Sequence, residues 1–289
     1  MYIYLDTMLW NRLWDEDADP GRLNASLAAE SAKLVLSPHT GFELAKTFVN
    51  APERAKKLFS YLMNFVMANI PCTKEISGIL EAEMVALRSP ELEVVPFLPP
   101  EYYGGFRRDL EMLAAGKFDD RANEFVNVRS SLGSAARTGP AQYLQDNVAE
   151  RLRKVTPENL RVWLESESAS DQGVVLLAEQ ITRQFPEAPA ADALTWAAPL
   201  LASRTGRLAK GLVRADLYFN WRWANRQAIP RDLYHDMYHV LLSTYCDVYA
   251  TKESKQIEYA GLLLTPKTKL ALYDGRCPLA GWLEALAQR

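Results

Sequence analysis

An acid closes the first apolar run of the chain, where Tyr2-Ile3-Tyr4-Leu5 ends in Asp6. Far downstream, Asp232-Leu-Tyr-His-Asp236-Met-Tyr-His239 is followed by Tyr245-Cys-Asp247-Val-Tyr-Ala-Thr251-Lys-Glu253. A carboxylate at the C-terminal end of a short buried strand stands where open α/β sheets hold their ligands. The downstream cluster repeats the arrangement, with a helix carrying Asp and then a strand carrying Asp. Carboxylates gathered in one place repel one another and need a cation, and hard ions such as Mg2+ and Mn2+ take oxygen donors. The pattern suggests metal-dependent hydrolysis of phosphodiesters.

Each of these residues also has a structural reading. Asp6 costs desolvation at a buried strand end unless it has a partner. Glu43 falls in the first turns of a helix, where an acid interacts well with the helix dipole. Asp232 follows Pro230-Arg231 and can start a helix. Asp232 and Asp236 are four apart and share one helical face. Asp247 alternates with Tyr245 and Tyr249 along its strand. His235 and His239 are also four apart, the spacing that zinc sites use. With Asp232 they would form a transition-metal set, but the HExxH glutamate is missing and the only other histidine is His39. The plainer reading makes His239 a core or capping residue beside the acids and places His235 at the rim.

The elements that must position these groups read as α/β at both ends of the chain. Residues 2–6 form a strand and 7–31 are helical, broken by the acidic stretch Asp15–Asp19 and by Pro20-Gly21. Lys33-Leu-Val-Leu-Ser37 is a second strand, and a helix carrying Glu43 starts near Thr40. Pro52 sits at the first position of another helix, and residues 73–88 form one more. Glu93-Val-Val-Pro-Phe-Leu-Pro-Pro100 is an extended linker, because each proline disfavours helix at the residue before it. The middle, 91–227, shows helical periodicity at 119–132, 140–154, 157–167, 171–184, 191–204 and 206–227. After it come helix 230–243, strand 245–251, helix 253–261, strand 268–273 and helix 279–288. Short β-α-β units favour a parallel sheet with right-handed crossovers. The expected organisation is a discontinuous α/β core, 1–90 with 228–289, and a helical insertion at 91–227.

Taken together the motifs resemble the PIN-domain ribonuclease family. The carrying residues are Leu5-Asp6-Thr7, then Val35-Leu36-Ser37 leading to Glu43, then Asp236-Met-Tyr-His239, then Cys246-Asp247-Val-Tyr-Ala-Thr251-Lys252-Glu253. The resemblance covers about the first 90 and last 60 residues and says nothing of the middle. Glu253 stands where the family more often has Asp. The resemblance implies a PIN-like three-layer α/β/α fold with a central parallel sheet. It implies catalytic and metal-ligating roles for Asp6, Glu43, Asp236 and Asp247, with Glu253 or Asp232 completing a second position. The implied cofactor is Mg2+ or Mn2+. Thr7, Thr251 and Lys252 would make polar contacts near it.

A basic and aromatic stretch bears on the substrate. Arg204, Arg207, Lys210, Arg214, Arg222, Arg226 and Arg231 face a single acid, Asp216, with Tyr218, Phe219, Trp221 and Trp223 interleaved. Such a segment can neutralise phosphates and stack unpaired bases, so Arg222 and Arg226 are candidate contacts to single-stranded or structured RNA. The alternative is an amphipathic helix with buried aromatics and solvated arginines. A rival for the whole chain is a PIN-fold scaffold without chemistry, its helical insertion serving a protein partner. A DNA-directed nuclease is a third reading.

Composition sets outer limits. The 289 residues are 48% hydrophobic and 24% charged, ordinary for a globular protein. A net charge of −3 does not announce a nucleic-acid binder, although only local charge matters at a binding face. Three scattered cysteines (Cys72, Cys246 and Cys277) fit reduced thiols in the cytoplasm. No basic leader precedes the first strand, and no apolar run is long enough for a membrane span. Oligomerisation is left open. P-loop, GxGxxG and GxSxG motifs are absent from the sequence.

Overall fold

A computed structural model of the protein describes residues 1–120, 122–124, 126–127, 130–131, 146–187 and 190–288. The chain opens with β1 (Tyr2–Leu5), α1 (Thr7–Asp15), α2 (Pro20–Ala29), β2 (Lys33–Val35), α3 (Pro38–Ala45), α4 (Thr47–Asn50), α5 (Pro52–Met67) and α6 (Ile76–Arg88). The middle carries α7 (Tyr103–Ala114), α8 (Asp146–Arg153), α9 (Leu160–Glu167), α10 (Asp171–Gln184), α11 (Ala190–Ala202) and α12 (Arg207–Ala224). The chain closes with α13 (Leu233–Leu242), β3 (Val248–Thr251), α14 (Ser254–Leu263), β4 (Lys269–Leu272) and α15 (Leu279–Ala287).

The four strands form one parallel sheet in the order β2-β1-β3-β4. The register sets Ile3 beside Val248 and Leu5 beside Ala250. Side chains alternate across it, as strand geometry demands. Ile3, Leu5, Leu34, Val248 and Ala250 face one hydrophobic cluster, and Tyr4, Val35 and Tyr249 face the other. Both faces are therefore covered by helices, the usual condition of a parallel sheet.

Local signals explain the element starts. The side chains of Asp6, Asp19 and Ser37 cap α1, α2 and α3 by accepting from the amides of Leu9, Arg22 and Thr40. Pro52 opens α5. The helix expected from residue 73 begins instead at Ile76. Cys72 and Thr73 are drawn into isolated bridges with Leu36 and Phe97, so sheet pairing overrides local helical pattern there. The strand expected from 245 begins at Val248, because the backbone turns through Ser243–Cys246 on leaving α13.

Among the described residues of 91–227 no strand is present, as expected, but this middle does not gather on one side. Leu110 of α7 and Val126 join the cluster under α1, α2 and α5. The helices α8–α12 join the other cluster together with Tyr4, Val35 and Tyr249. The middle thus supplies helix layers to both sheet faces. The expected helices at 119–132 and 140–154 lie partly outside the described residues. Among those described, no helix is long and apolar enough to cross a membrane.

The N-terminus of α12 enters the core and has no side-chain cap of its own. Glu83 of α6, fully buried, supplies one from a distance. Its Oε1 accepts from the Leu208 amide at 2.5 Å and its Oε2 from the Ala209 amide at 3.0 Å. The Tyr245 hydroxyl also donates to it at 2.5 Å. Gly206 precedes the helix because a Cβ there would meet the Leu200 carbonyl oxygen at 2.0 Å. Glu83→Ala should leave the buried Leu208 and Ala209 amides unpaired and destabilise the fold by several kcal/mol, since each such loss costs about 1–3 kcal/mol, while the Tyr245 hydroxyl keeps the Thr205 carbonyl. Chemical denaturation against Glu81→Ala, at an exposed neighbouring position, checks this. Equal small effects would remove the capping role.

Candidate functional site at the strand C-termini

Because β1 and β3 are parallel, their C-terminal ends open on the same edge. Asp6 leaves β1 there, with its amide bonded to the Ala250 carbonyl at 3.1 Å. Its side chain is 1% exposed. The Leu9 amide donates to Oδ1 at 2.8 Å, and the Thr251 hydroxyl donates to Oδ2. Burial nevertheless pushes the Asp6 carboxyl up to about 6, against the pull of these two donors. Glu253, just past β3, adds to the rise through its charge.

Two helices lean over this edge. Asp236 of α13 accepts from Gln256 Nε2 at 3.0 Å, and Gln256 is itself fixed by the Tyr249 hydroxyl at 2.6 Å. Burial, then the charge of Glu253, pushes the Asp236 carboxyl up to about 7. Glu43 of α3 accepts from the Thr7 hydroxyl at 2.5 Å and pairs with His239 Nε2 at 2.8 Å. Burial would raise this carboxyl, but the charge and hydrogen bond of His239 outweigh it and hold Glu43 well below the usual carboxylate range. His239 Nδ1 hydrogen-bonds the Tyr4 hydroxyl at 2.7 Å, which also meets Ser37 Oγ at 2.8 Å. Lys46 Nζ approaches Glu43 to 3.9 Å from the solvent side.

Asp6, Glu43, Asp236 and Glu253 are thus four carboxylates whose charges act on one another at one edge. Two are held partly neutral by desolvation and repulsion, the condition a cation relieves. Their oxygens are the donors a hard ion such as Mg2+ or Mn2+ takes, so the donor types suit one. Among the described residues, the group of three potential ligands lying within 4.8 Å of one another is His39, Glu43 and His239. The acids alone are more widely spread.

Asp247 does not belong here. It precedes β3 at the N-terminal end of the sheet, where its exposed carboxylate accepts from the Tyr2 amide at 2.7 Å. Four residues at roughly 3.3 Å each put it about 13 Å along the strand from the level of Asp6. A shared ion with Asp6 is ruled out by that separation. An acid ending one parallel strand and an acid starting its neighbour lie at opposite edges, and Glu253 occupies the equivalent position instead. Asp232 is exposed ahead of α13.

The other candidates divide. Thr251 is fully buried, so it positions Asp6 and cannot touch a substrate. Thr7 positions Glu43 and lies 3.0 Å from His239 Nε2. Lys252 is exposed beside Glu253 at the rim. Arg222 holds the end of α12 by donating to Tyr218 at 3.0 Å and to the Ala228 carbonyl. Trp221 is buried and donates to the Val155 carbonyl at 2.9 Å, so it is a core residue and no stacking platform. Trp223 is 43% exposed, and Arg226 is exposed near it. His235 is buried at 5% exposure and does not sit at a rim.

Sequence reasoning passed over His39, Tyr4 and Gln256. The signal for His39 was its spacing of four from Glu43, which places both on one face of α3.

The raised Asp236 carboxyl ties proton uptake to folding. The folded state holds a proton up to about pH 7, whereas the unfolded chain releases it near 3.8. Stability from this group is complete below about pH 4 and is lost as pH rises through about 7. In chelator, Asp236→Asn should therefore be more stable than wild type at pH 8, by about 1 kcal/mol or more. The gap should narrow through pH 5 and close only below about pH 4. Melting curves across that range check it, and a gap that ignores pH would place Asp236 in solvent.

Compared with protein-family models, with curated proteins and with solved structures, the chain finds no match in any of the three.

Proposed function

We propose that the chain is a PIN-like nuclease dependent on a divalent cation, acting on RNA as an endonuclease. The observation that carries this reading is the convergence of Asp6, Glu43, Asp236 and Glu253, from four separate segments, on the C-terminal edge of a parallel sheet. Ligand sites of open α/β sheets lie at that edge. Asp6, Asp236 and Glu253 would hold Mg2+ or Mn2+. Bound there, such an ion lowers the pKa of a water and neutralises charge on a phosphodiester. Thr251 and the Leu9 amide fix the Asp6 carboxylate, and Gln256 fixes that of Asp236. Thr7 and His239 keep Glu43 ionised and oriented. Lys46 and Lys252 put positive charge on an otherwise acidic rim, where a phosphate must enter.

Nucleic acid as substrate draws on one further feature. Tyr218 of α12 packs against Tyr259 of α14 at 5.9 Å between ring centroids, one turn beyond the Gln256 that holds Asp236, which brings the end of α12 toward the acid edge. The exposed pair Trp223 and Arg226 lies just beyond, in an open cleft of about 620 Å3 shared with Arg153 and Gln227.

The scaffold reading has its own observation. Asp6, Glu43 and Asp236 each have hydrogen-bond partners within the protein. A carboxylate satisfied in this way can be structural.

A cleavage assay on pooled single-stranded RNA and on DNA, with Mg2+ or Mn2+, separates these readings. We expect RNA cleavage that stops in chelator and falls by at least about 100-fold in Asp6→Asn and Asp236→Asn, since losing a ligand should cost no less than the roughly 10–100-fold of losing a group that merely supports one. Asp247→Asn should cleave like wild type. Full activity in the first two variants would remove them from the mechanism, and no cleavage by any form would favour the scaffold. In the substrate arm, Arg226→Gln should weaken RNA binding and flatten its salt dependence, because fewer counterions are released. An unchanged slope would take α12 out of the substrate path.

A further inference from the structure

The chain has three histidines, and all three meet at one point. His39 of α3 stacks on His235 of α13 at 5.3 Å between ring centroids and meets His239 edge-on at 4.7 Å. Glu43, one turn beyond His39, bonds His239 Nε2 at 2.8 Å. One donor atom from each of His39, Glu43 and His239 lies within 4.8 Å of the other two. The imidazoles are nearly sealed, at 1%, 5% and 1% exposure for His39, His235 and His239. The Glu43 side chain keeps 20%, which leaves a path from solvent.

Buried imidazole nitrogens need partners, yet His235 Nδ1 is buried without a hydrogen bond. The His239 ring is held from behind by Tyr4, which Ser37 anchors in turn. Metal-ligating histidines are commonly fixed in this way through their second nitrogen. The donor set, imidazole nitrogen with one carboxylate, suits Zn2+ and its neighbours in the transition series and does not suit Mg2+.

We propose that His39, Glu43 and His239 bind one borderline divalent ion of the Zn2+ type, its remaining position falling to His235 or water. This site shares Glu43 with the carboxylate edge. It does not depend on that edge cleaving nucleic acid.

Cobalt(II) titration of the metal-free full chain in excess Mg2+ tests it. We expect one equivalent to bind with the intense visible absorption of a low-coordinate nitrogen–oxygen site. Affinity should fall at least about 10-fold in His39→Ala and in His239→Gln, and stay within about 2-fold in Glu253→Gln and Asp247→Asn. X-ray absorption of the zinc-loaded wild type should show imidazole scattering, and this decides the matter if a histidine variant fails to fold. Absence of stoichiometric binding, an all-oxygen shell, or binding lost in Glu253→Gln but kept in His39→Ala would overturn the proposal. In those cases the histidines are an aromatic packing layer. Cobalt binding without cleavage defeats only the nuclease reading, and cleavage in Mg2+ without cobalt binding defeats only this one.

Discussion

The parallel pairing of β1 with β3 joins segments 245 residues apart, as the bond from the Tyr2 amide to Asp247 marks. Direction matters as much as adjacency. Because both strands run the same way, Asp6 and Thr251 arrive at one edge, while Tyr2 and Asp247 stay at the other. A reversed β3 would have brought Asp247 to Asp6 and sent Glu253 away. The identity of the acid cluster is therefore set by strand polarity, and α3 and α13 only complete what that polarity begins.

The edge is costly to fold. Asp6 is removed from water in exchange for one amide and one hydroxyl, and its carboxyl still sits near 6. Asp236 is raised further, partly by Glu253. Glu43 differs because it has a nearby imidazole, and its carboxyl is lowered. One cluster thus holds acids shifted in opposite directions by their partners. Such divergence is common at functional sites, although structural ion pairs also produce it.

The helices supplied by the middle of the chain do more than shield the sheet. They seal Tyr4 and Tyr249 into a core, and these two aromatics are the posts on which His239 and Gln256 rest. Glu83, buried in the same cluster, links α6, α12 and Tyr245. Tyr245 lies on the connection from α13 to β3, so this polar knot ties the helical layer to the two elements that carry Asp236 and Glu253.

Local patterns determined much of this protein. Alternating apolar residues ending in an acid marked β1, capping residues and Pro52 marked helix starts, and the spacing of Asp236 and His239 marked one helical face. These signals act over a few residues, where backbone geometry and side-chain period leave little choice. The resemblance to PIN domains rests on those motifs alone, since the fold itself establishes only an all-parallel α/β sheet. The edge on which Asp247 lies is not set by local pattern, because the position of an acid in a strand says nothing until the ends of its neighbours are known. The burial of Trp221, the fastening of Arg222 and the division of the middle over both faces followed from packing between distant segments. So did the meeting of all three histidines, since α3 and α13 are nearly two hundred residues apart in sequence. Only the closed sheet, with its two covered faces, decides which side chains lose water together.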